Sequence, residues 1–274
     1  MSQQMKHLKS SYKDLREFFD RMVSVRYIAE PLASFDSQAA CNEVLTFMKN
    51  HDYDVVGIRR EGSVVGYVKQ SGLKNRNISQ HLIPFSTADL LDDSAPLISA
   101  FSRMRQSPQI FVRVFGQVGG IVTRGDFQKA PVRMWLFGLI SLLEMQLLRL
   151  IREAYPEESW KQLIASKRLN FAERILTKRR KRNEAIDLAD CLQFCDKRDI
   201  VLKSAQLRRG SGFASEKECE DILKELEEVR NNLAHAQDII KGFWPQIINL
   251  TENAEALLRQ CEETTCAPVG TRHG

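Results

Sequence analysis

The segment Arg230-Asn231-Asn232-Leu233-Ala234-His235 sets a guanidinium and an imidazole five residues apart, with an amide next to the guanidinium. An imidazole exchanges protons near neutral pH, and a guanidinium stabilises charge developing on anionic oxygens. A second pair of groups lies in Gly120-Ile-Val-Thr123-Arg-Gly-Asp126. There a hydroxyl can add to the backbone donors of a helix start, and a carboxylate can accept from two hydroxyls. A third feature is the run from Lys167 to Arg182, which holds eight basic residues (Lys178, Arg179, Arg180, Lys181 and Arg182 at its end) and one acid, Glu173. Such a run can track a phosphate backbone. Each feature also has a purely structural reading: a solvated helical histidine, a helix cap at Thr123 and Asp126, or a basic helix end paired with the acidic 216–228 segment. At the level of residue types both readings stand.

The elements that must position these groups follow from proline and glycine, which punctuate turns and are disfavoured inside helices. Five of the eight prolines precede residue 132; none lies between Glu157 and Trp244, and no glycine lies between Leu139 and Arg209. The second half is therefore expected to be all-α. The first half carries two β-branched runs broken by turn signals, Asp54 to Val68 and Gln109 to Val122, each predicting a hairpin. A helical pattern precedes each, Ala39–Lys49 and Ala95–Met104, and Gly66 and Gly120 stand 54 residues apart. One helix-strand-turn-strand unit is thus expected twice.

The chain has 274 residues, 43% of them hydrophobic and 27% charged, with 40 Lys and Arg against 35 Asp and Glu for a net charge of +5. This composition is that of a globular protein with room for two cores and excludes collagen-like and disordered classes. The most apolar run, Met134 to Leu143, is ten residues long before Glu144 interrupts it, short of the roughly 18 residues a bilayer crossing needs. The N-terminus is charged throughout, unlike a leader peptide. The expectation is a cytoplasmic protein with no membrane segment. Six cysteines without a C-x-x-C pair predict reduced thiols and no metal site, with Cys191 and Cys195 as core thiols on one helix face.

From about Arg133 the pattern is that of a nearly all-round apolar helix, which must be buried on more than one side, within a bundle or at a subunit interface. Further helices are expected at Glu157–Ser166, Phe171–Lys178, Glu184–Phe194, Lys197–Gln206, Ser215–Gly242 and Ile247–Gln260, a bundle of four to six. Between Asp221 and Phe243 an apolar stripe runs through Ile222, Leu226, Val229, Leu233, Ala236 and Ile240. At about 100° per residue, Asn231 and His235 fall some 140–180° from it and Arg230 on its flank. Glu144 is open to two roles, an interhelical salt bridge or a carboxylate orienting Arg230.

The repeated unit, over residues 20–133 (about 20–75 and 76–133), resembles a pair of CBS (cystathionine-β-synthase-type) modules. It carries VVGIRREGSVVGYV, and Gly120-Ile-Val-Thr123-Arg-Gly-Asp126 follows the family pattern Gly-apolar-x-Thr/Ser-x-x-Asp. The resemblance implies an adenine nucleotide as regulatory ligand, with Thr123 meeting a phosphate, Asp126 the ribose hydroxyls, and Gly120 in the same phrase. The matching phrase of the first repeat has Lys69 and Gly72 instead, which implies that one site has lost ribose recognition.

Residues 134–260 resemble the HEPN family of helical bundles, through the apolar first helix, the basic middle segment and the Arg-x4-His phrase at Arg230 to His235. The resemblance implies a metal-independent endoribonuclease acting as a homodimer, with no cofactor required. His235 would move the proton of a 2′-OH or a leaving 5′-O, Arg230 would stabilise the phosphorus oxygens, and Asn231 would orient the ring or touch the phosphate.

The expected architecture is α+β: an N-terminal helix (1–19), a tandem CBS pair of α/β units (20–133), an all-α HEPN-like bundle (134–260) and a disordered tail (261–274). The expected activity is RNA cleavage regulated by an adenine nucleotide in a defence or stress response, with Lys178 to Arg182 as RNA contacts. Its rival from another class is a non-catalytic nucleotide-sensing adaptor whose helical part binds RNA or a protein. A third reading pairs the bundle with a separate nucleotidyltransferase.

Overall fold

The computed structural model describes residues 11–74, 77–239 and 244–264. The chain forms two compact units, one of residues 17–133 and one that combines the chain before residue 17 with the chain from Met134 onward.

The 17–133 unit is a mixed α+β structure built on a strict internal repeat. Its first copy contains β2 (Ser34–Asp36), α2 (Cys41–His51), β3 (Val55–Arg60) and β4 (Ser63–Lys69). The second contains β6 (Leu90–Asp92), α3 (Leu97–Met104), β7 (Gln109–Val114) and β8 (Gln117–Thr123). Within each copy the first strand pairs in parallel with the second, which turns back as an antiparallel hairpin with a register shift, at Ile58/Arg59 and Val112/Arg113. Each hairpin closes on two residues of positive φ, Glu61-Gly62 and Phe115-Gly116, as a two-residue turn between right-twisted strands requires.

The two copies exchange edges. β1 (Glu30–Pro31) precedes the first copy yet pairs with β8, and β5 (Ile83–Pro84) precedes the second yet pairs with β4. The sheet orders are therefore β2-β3-β4-β5 and β1-β8-β7-β6. The missing side chain of Gly66 makes the β5 pairing possible, since a Cβ there would sit 2.5 Å from the Ile83 carbonyl oxygen.

The described residues of 134–264 are helical without strands. α4 (Ala130–Ala154) leads into a 3-10 segment (Pro156–Leu163), then α5 (Ser166–Arg180), α6 (Phe194–Lys203), α7 (Ala205–Gly210), α8 (Glu216–Ala234) and α9 (Trp244–Glu263). α6 packs on α7 and α8, and α8 on α9. The first turns of α1 (Tyr12–Met22) are bound to α9: the Tyr12 hydroxyl donates to Glu255 at 2.8 Å and the Arg259 guanidinium lies over its ring. Residues 1–10 of the expected N-terminal helix lie outside the described residues.

Several helix expectations are corrected. Glu184–Phe194 is largely irregular with one 3-10 turn, because Asp187 and Asp190 each accept the other's backbone N–H, at 3.1 and 3.0 Å, and Arg152 bridges both carboxylates. Side chains that capture local donors compete with the helix ladder. Cys191 and Cys195 accordingly sit in separate elements, the first buried and the second half-buried. Glu157–Ser166 starts at Pro156 with Glu157 and Glu158 in the left-handed region, so no α-helix forms there. α9 continues through Cys261 to Glu263, so the first residues of the expected tail are helical; residues 265–274 lie outside the described residues.

α4 is long and apolar enough to cross a membrane by length and composition, and half of its most apolar window is buried within the structure. The ten-residue run expected from the sequence is only part of it, because the helix passes through Glu144 with that carboxylate paired to Lys197.

Candidate ligand pocket and helix-end site

At the end of β8 the chain turns into a short 3-10 segment (Arg124–Gln128) with Thr123 in extended conformation before it. The buried carboxylate of Asp126 folds back: its Oδ2 accepts the Thr123 N–H at 2.7 Å and the Thr123 hydroxyl at 3.0 Å. The capping geometry is therefore present. The same two residues also line a cavity of about 740 Å³, together with Glu30, Leu32, Tyr53 and Arg124 among others. That volume is in the range of small-molecule sites. Gly120 does not line it; a Cβ there would press on the Val112 Cβ of β7 at 3.1 Å.

Sequence reasoning missed Lys129. Its ammonium meets the Asp126 Oδ1 at 2.9 Å, the Ile28 carbonyl oxygen at 2.6 Å and the Glu30 carboxylate. Burial works against its charge, but the two carboxylates outweigh this and raise its pKa above the ordinary lysine value. The only signal in the sequence was its place three residues after Asp126, the spacing at which side chains meet on one helical turn.

The corresponding positions of the first copy are built differently. Lys69 and Gly72, where the second copy has Thr123 and Asp126, are exposed. Where Leu32 and Ile121 line the cavity, the repeat-related positions hold Phe85 and Tyr67, whose rings lie 5.9 Å apart and each 4.7 Å from Phe111. Aromatic packing fills the space between the copies on that side.

The second candidate site lies at the C-terminus of α8. The helix stops at Ala234 rather than running to Gly242, with His235 as its cap and Ala236 at φ 54°. Gln237 N–H donates to the Asn232 carbonyl at 2.8 Å and Ala236 N–H to that of Leu233 at 3.4 Å, the double closure of a Schellman motif. Ala236 is exposed rather than part of the expected stripe; Ile240, Gly242 and Phe243 lie outside the described residues. The buried face is carried by Cys219, Leu223, Leu226, Val229, Asn232 and Leu233, with Ile222 only half-buried.

Asn231 and His235 are exposed, and Arg230 is half-buried and donates to the Asn231 side-chain oxygen at 3.1 Å. The His235 backbone N–H donates to the Asn231 carbonyl at 3.0 Å, so the last turn places the two residues on one face. Glu144 is elsewhere engaged, with its Oε1 2.7 Å from the Lys197 ammonium.

The basic run forms α5 and the turn after it. Arg168 is tied to Asp196 through two bonds of 2.6 and 2.9 Å, which raises its pKa, and Arg179 is tied to Glu184 at 2.6 Å. Lys178, Arg180, Lys181 and Arg182 are exposed. Asp196 binds this run through Arg168, and Glu184 through Arg179. Among the described residues no group of His, Cys, Asp and Glu side chains could hold a metal ion.

No protein-family model matches the sequence, and no curated protein matches it. Among solved structures the chain is similar to the CBS domain of the bacterial CNNM/CorC family Mg2+ transporter in complex with ATP, with 20% identity, 42% of this chain and 89% of that one covered, and a TM-score of 0.35. It is also similar to a CBS domain-containing protein of unknown function from Bacillus anthracis str. Ames Ancestor, with 13% identity, 40% and 93% coverage, and a TM-score of 0.36. A third is the CBS domain of a membrane protein from Sphaerobacter thermophilus, with 15% identity, 42% and 90% coverage, and a TM-score of 0.35.

Proposed function

We propose that residues 20–133 are a CBS pair that senses an adenine nucleotide and regulates the helical half of a cytoplasmic protein. The observation that carries this reading is the cavity at Thr123 and Asp126, which offers a hydroxyl, a carboxylate and the Arg124 guanidinium to a ligand of nucleotide size. Asp126 would accept from the ribose hydroxyls, and Thr123 with the backbone of the following turn would meet a phosphate. The test is calorimetric titration of adenosine, AMP, ADP, ATP and GMP into the wild type and Asp126→Ala. Adenine compounds are expected to bind the wild type and to lose about tenfold or more in affinity in the variant. Absence of binding by every adenine compound overturns the reading.

A second reading, that the helical half is a HEPN-type endoribonuclease working as a homodimer, is favoured by the grouping of Arg230, Asn231 and His235 on an open helix end. His235 would move the proton of the attacking or leaving oxygen and Arg230 would hold the phosphorus oxygens, with no metal in the step. Lys178, Arg180, Lys181 and Arg182 would follow the RNA backbone and Arg179 would support them through Glu184. Cleavage of a mixed RNA pool in EDTA by the wild type, lost by about 10²-fold or more in His235→Ala, is the expected result. No cleavage with or without adenine nucleotides leaves the helical half as a non-catalytic adaptor.

A further inference from the structure

Asp126 has little room for a ligand. A carboxylate offers about four acceptor positions. Its Oδ2 already takes the Thr123 N–H and hydroxyl, and its Oδ1 takes the Lys129 ammonium. One position is left, whereas a ribose diol brings two donors. We propose that Lys129 is an internal competitor for the carboxylate: with the Thr123 hydroxyl still bound to Asp126, as in the complex with a nucleoside that has no phosphate, the diol must displace the Lys129 ammonium, and that displacement is the event by which the pocket acts on α4. This rests on the cavity being a nucleoside site.

The consequence for α4 follows from the backbone. The Lys129 carbonyl accepts the N–H groups of Val132 at 3.1 Å and Arg133 at 3.2 Å, and so forms the opening turn of the helix. The Lys129 side chain fixes that turn to the strand region through Ile28 and Glu30. With Asp126 taken by a ligand, the ammonium loses one of its two carboxylates and the first turn of α4 loses part of its anchor. Affinity and response then move in opposite directions: a protein without the lysine binds more tightly and transmits less.

Adenosine is the probe, because it carries the diol without a phosphate whose charge would act on Lys129 directly. Calorimetry compares adenosine with 2′,3′-dideoxyadenosine on the wild type and Lys129→Met, and hydrogen exchange follows the Val132 and Arg133 amides. The expected result is adenosine binding about tenfold tighter in Lys129→Met, no such gain for the dideoxy compound, and ligand-accelerated exchange at Val132 and Arg133 only in the wild type. Equal or weaker adenosine binding in Lys129→Met, or an equal gain for both compounds, overturns the competition. The exchange measurement on the wild type alone decides the case if the variant does not fold, since unchanged amides with adenosine bound overturn it too. If neither protein binds adenosine or AMP, the nucleoside reading of the cavity falls instead, and the competition with it.

Discussion

Glu144 on α4 and Lys197 on α6 meet with their charged atoms 2.7 Å apart, and the lysine side chain is only 7% exposed. The lysine is buried and the glutamate half-buried, so each ion depends on the other for compensation. Removing one partner strands a buried charge, which costs about 3–5 kcal/mol, whereas replacing both by apolar groups is near neutral. Glu144→Leu and Lys197→Met are each expected to lose about 3 kcal/mol in urea unfolding, and the double variant to recover most of it. Additive losses would show that the pair is not coupled.

A methyl group at Gly66 has no place to go, since the Ile83 carbonyl oxygen would lie 2.5 Å and the Leu82 Cδ1 2.7 Å from it. Gly66→Ala should cost about 1–3 kcal/mol through overpacking. At Gly119, one residue before the equivalent position, a Cβ meets nothing within 4 Å. Gly119→Ala should stay within about 0.5 kcal/mol of the wild type by the same denaturation assay.

Ala236 closes α8 in a left-handed conformation, at φ 54°. A Cβ there costs about 1 kcal/mol relative to glycine. Ala236→Gly is therefore expected to raise the urea midpoint with an unchanged slope, for a gain in stability of about 1 kcal/mol.

Burial opposes the charge of Asp190, but the Asp187 N–H and the Arg152 guanidinium outweigh it and hold its pKa below 3.8. A depressed folded-state pKa gives stability that is present above the unfolded value and lost as pH falls through the folded one. The wild type should thus lose stability below about pH 4, and Asp190→Asn should show a shallower acid limb. At pH 7 the variant should be about 1 kcal/mol less stable, since both side chains are partly exposed. Identical acid limbs would count against the assignment.

The repeat was legible because glycine-bounded β-branched runs mark hairpins, and the spacing of Gly66 and Gly120 fixed their phase. The exchange of β1 and β5 was not, since two-residue strands leave no periodicity. The end of α8 was hidden for a different reason: neither glycine nor proline stands at 235–237, and an alanine took the left-handed position. The Glu184–Phe194 expectation failed where Asp187 and Asp190 turned local donors to themselves. At the pocket, Thr123 and Asp126 were visible as a phrase, but Lys129, Ile28 and Glu30 come together only through the fold. The partner of Glu144 was likewise invisible, because Lys197 lies 53 residues away.

The edge exchange between the two copies sets a limit on how this half of the chain can be divided. A protein cut at residue 75 would keep β1 without the β8 it pairs with, and β4 without β5. Each fragment would present an open strand edge matched in shape to the lost partner, the template on which chains associate edge to edge. The pair, rather than the single copy, is therefore the smallest piece of this region in which every strand keeps its neighbour.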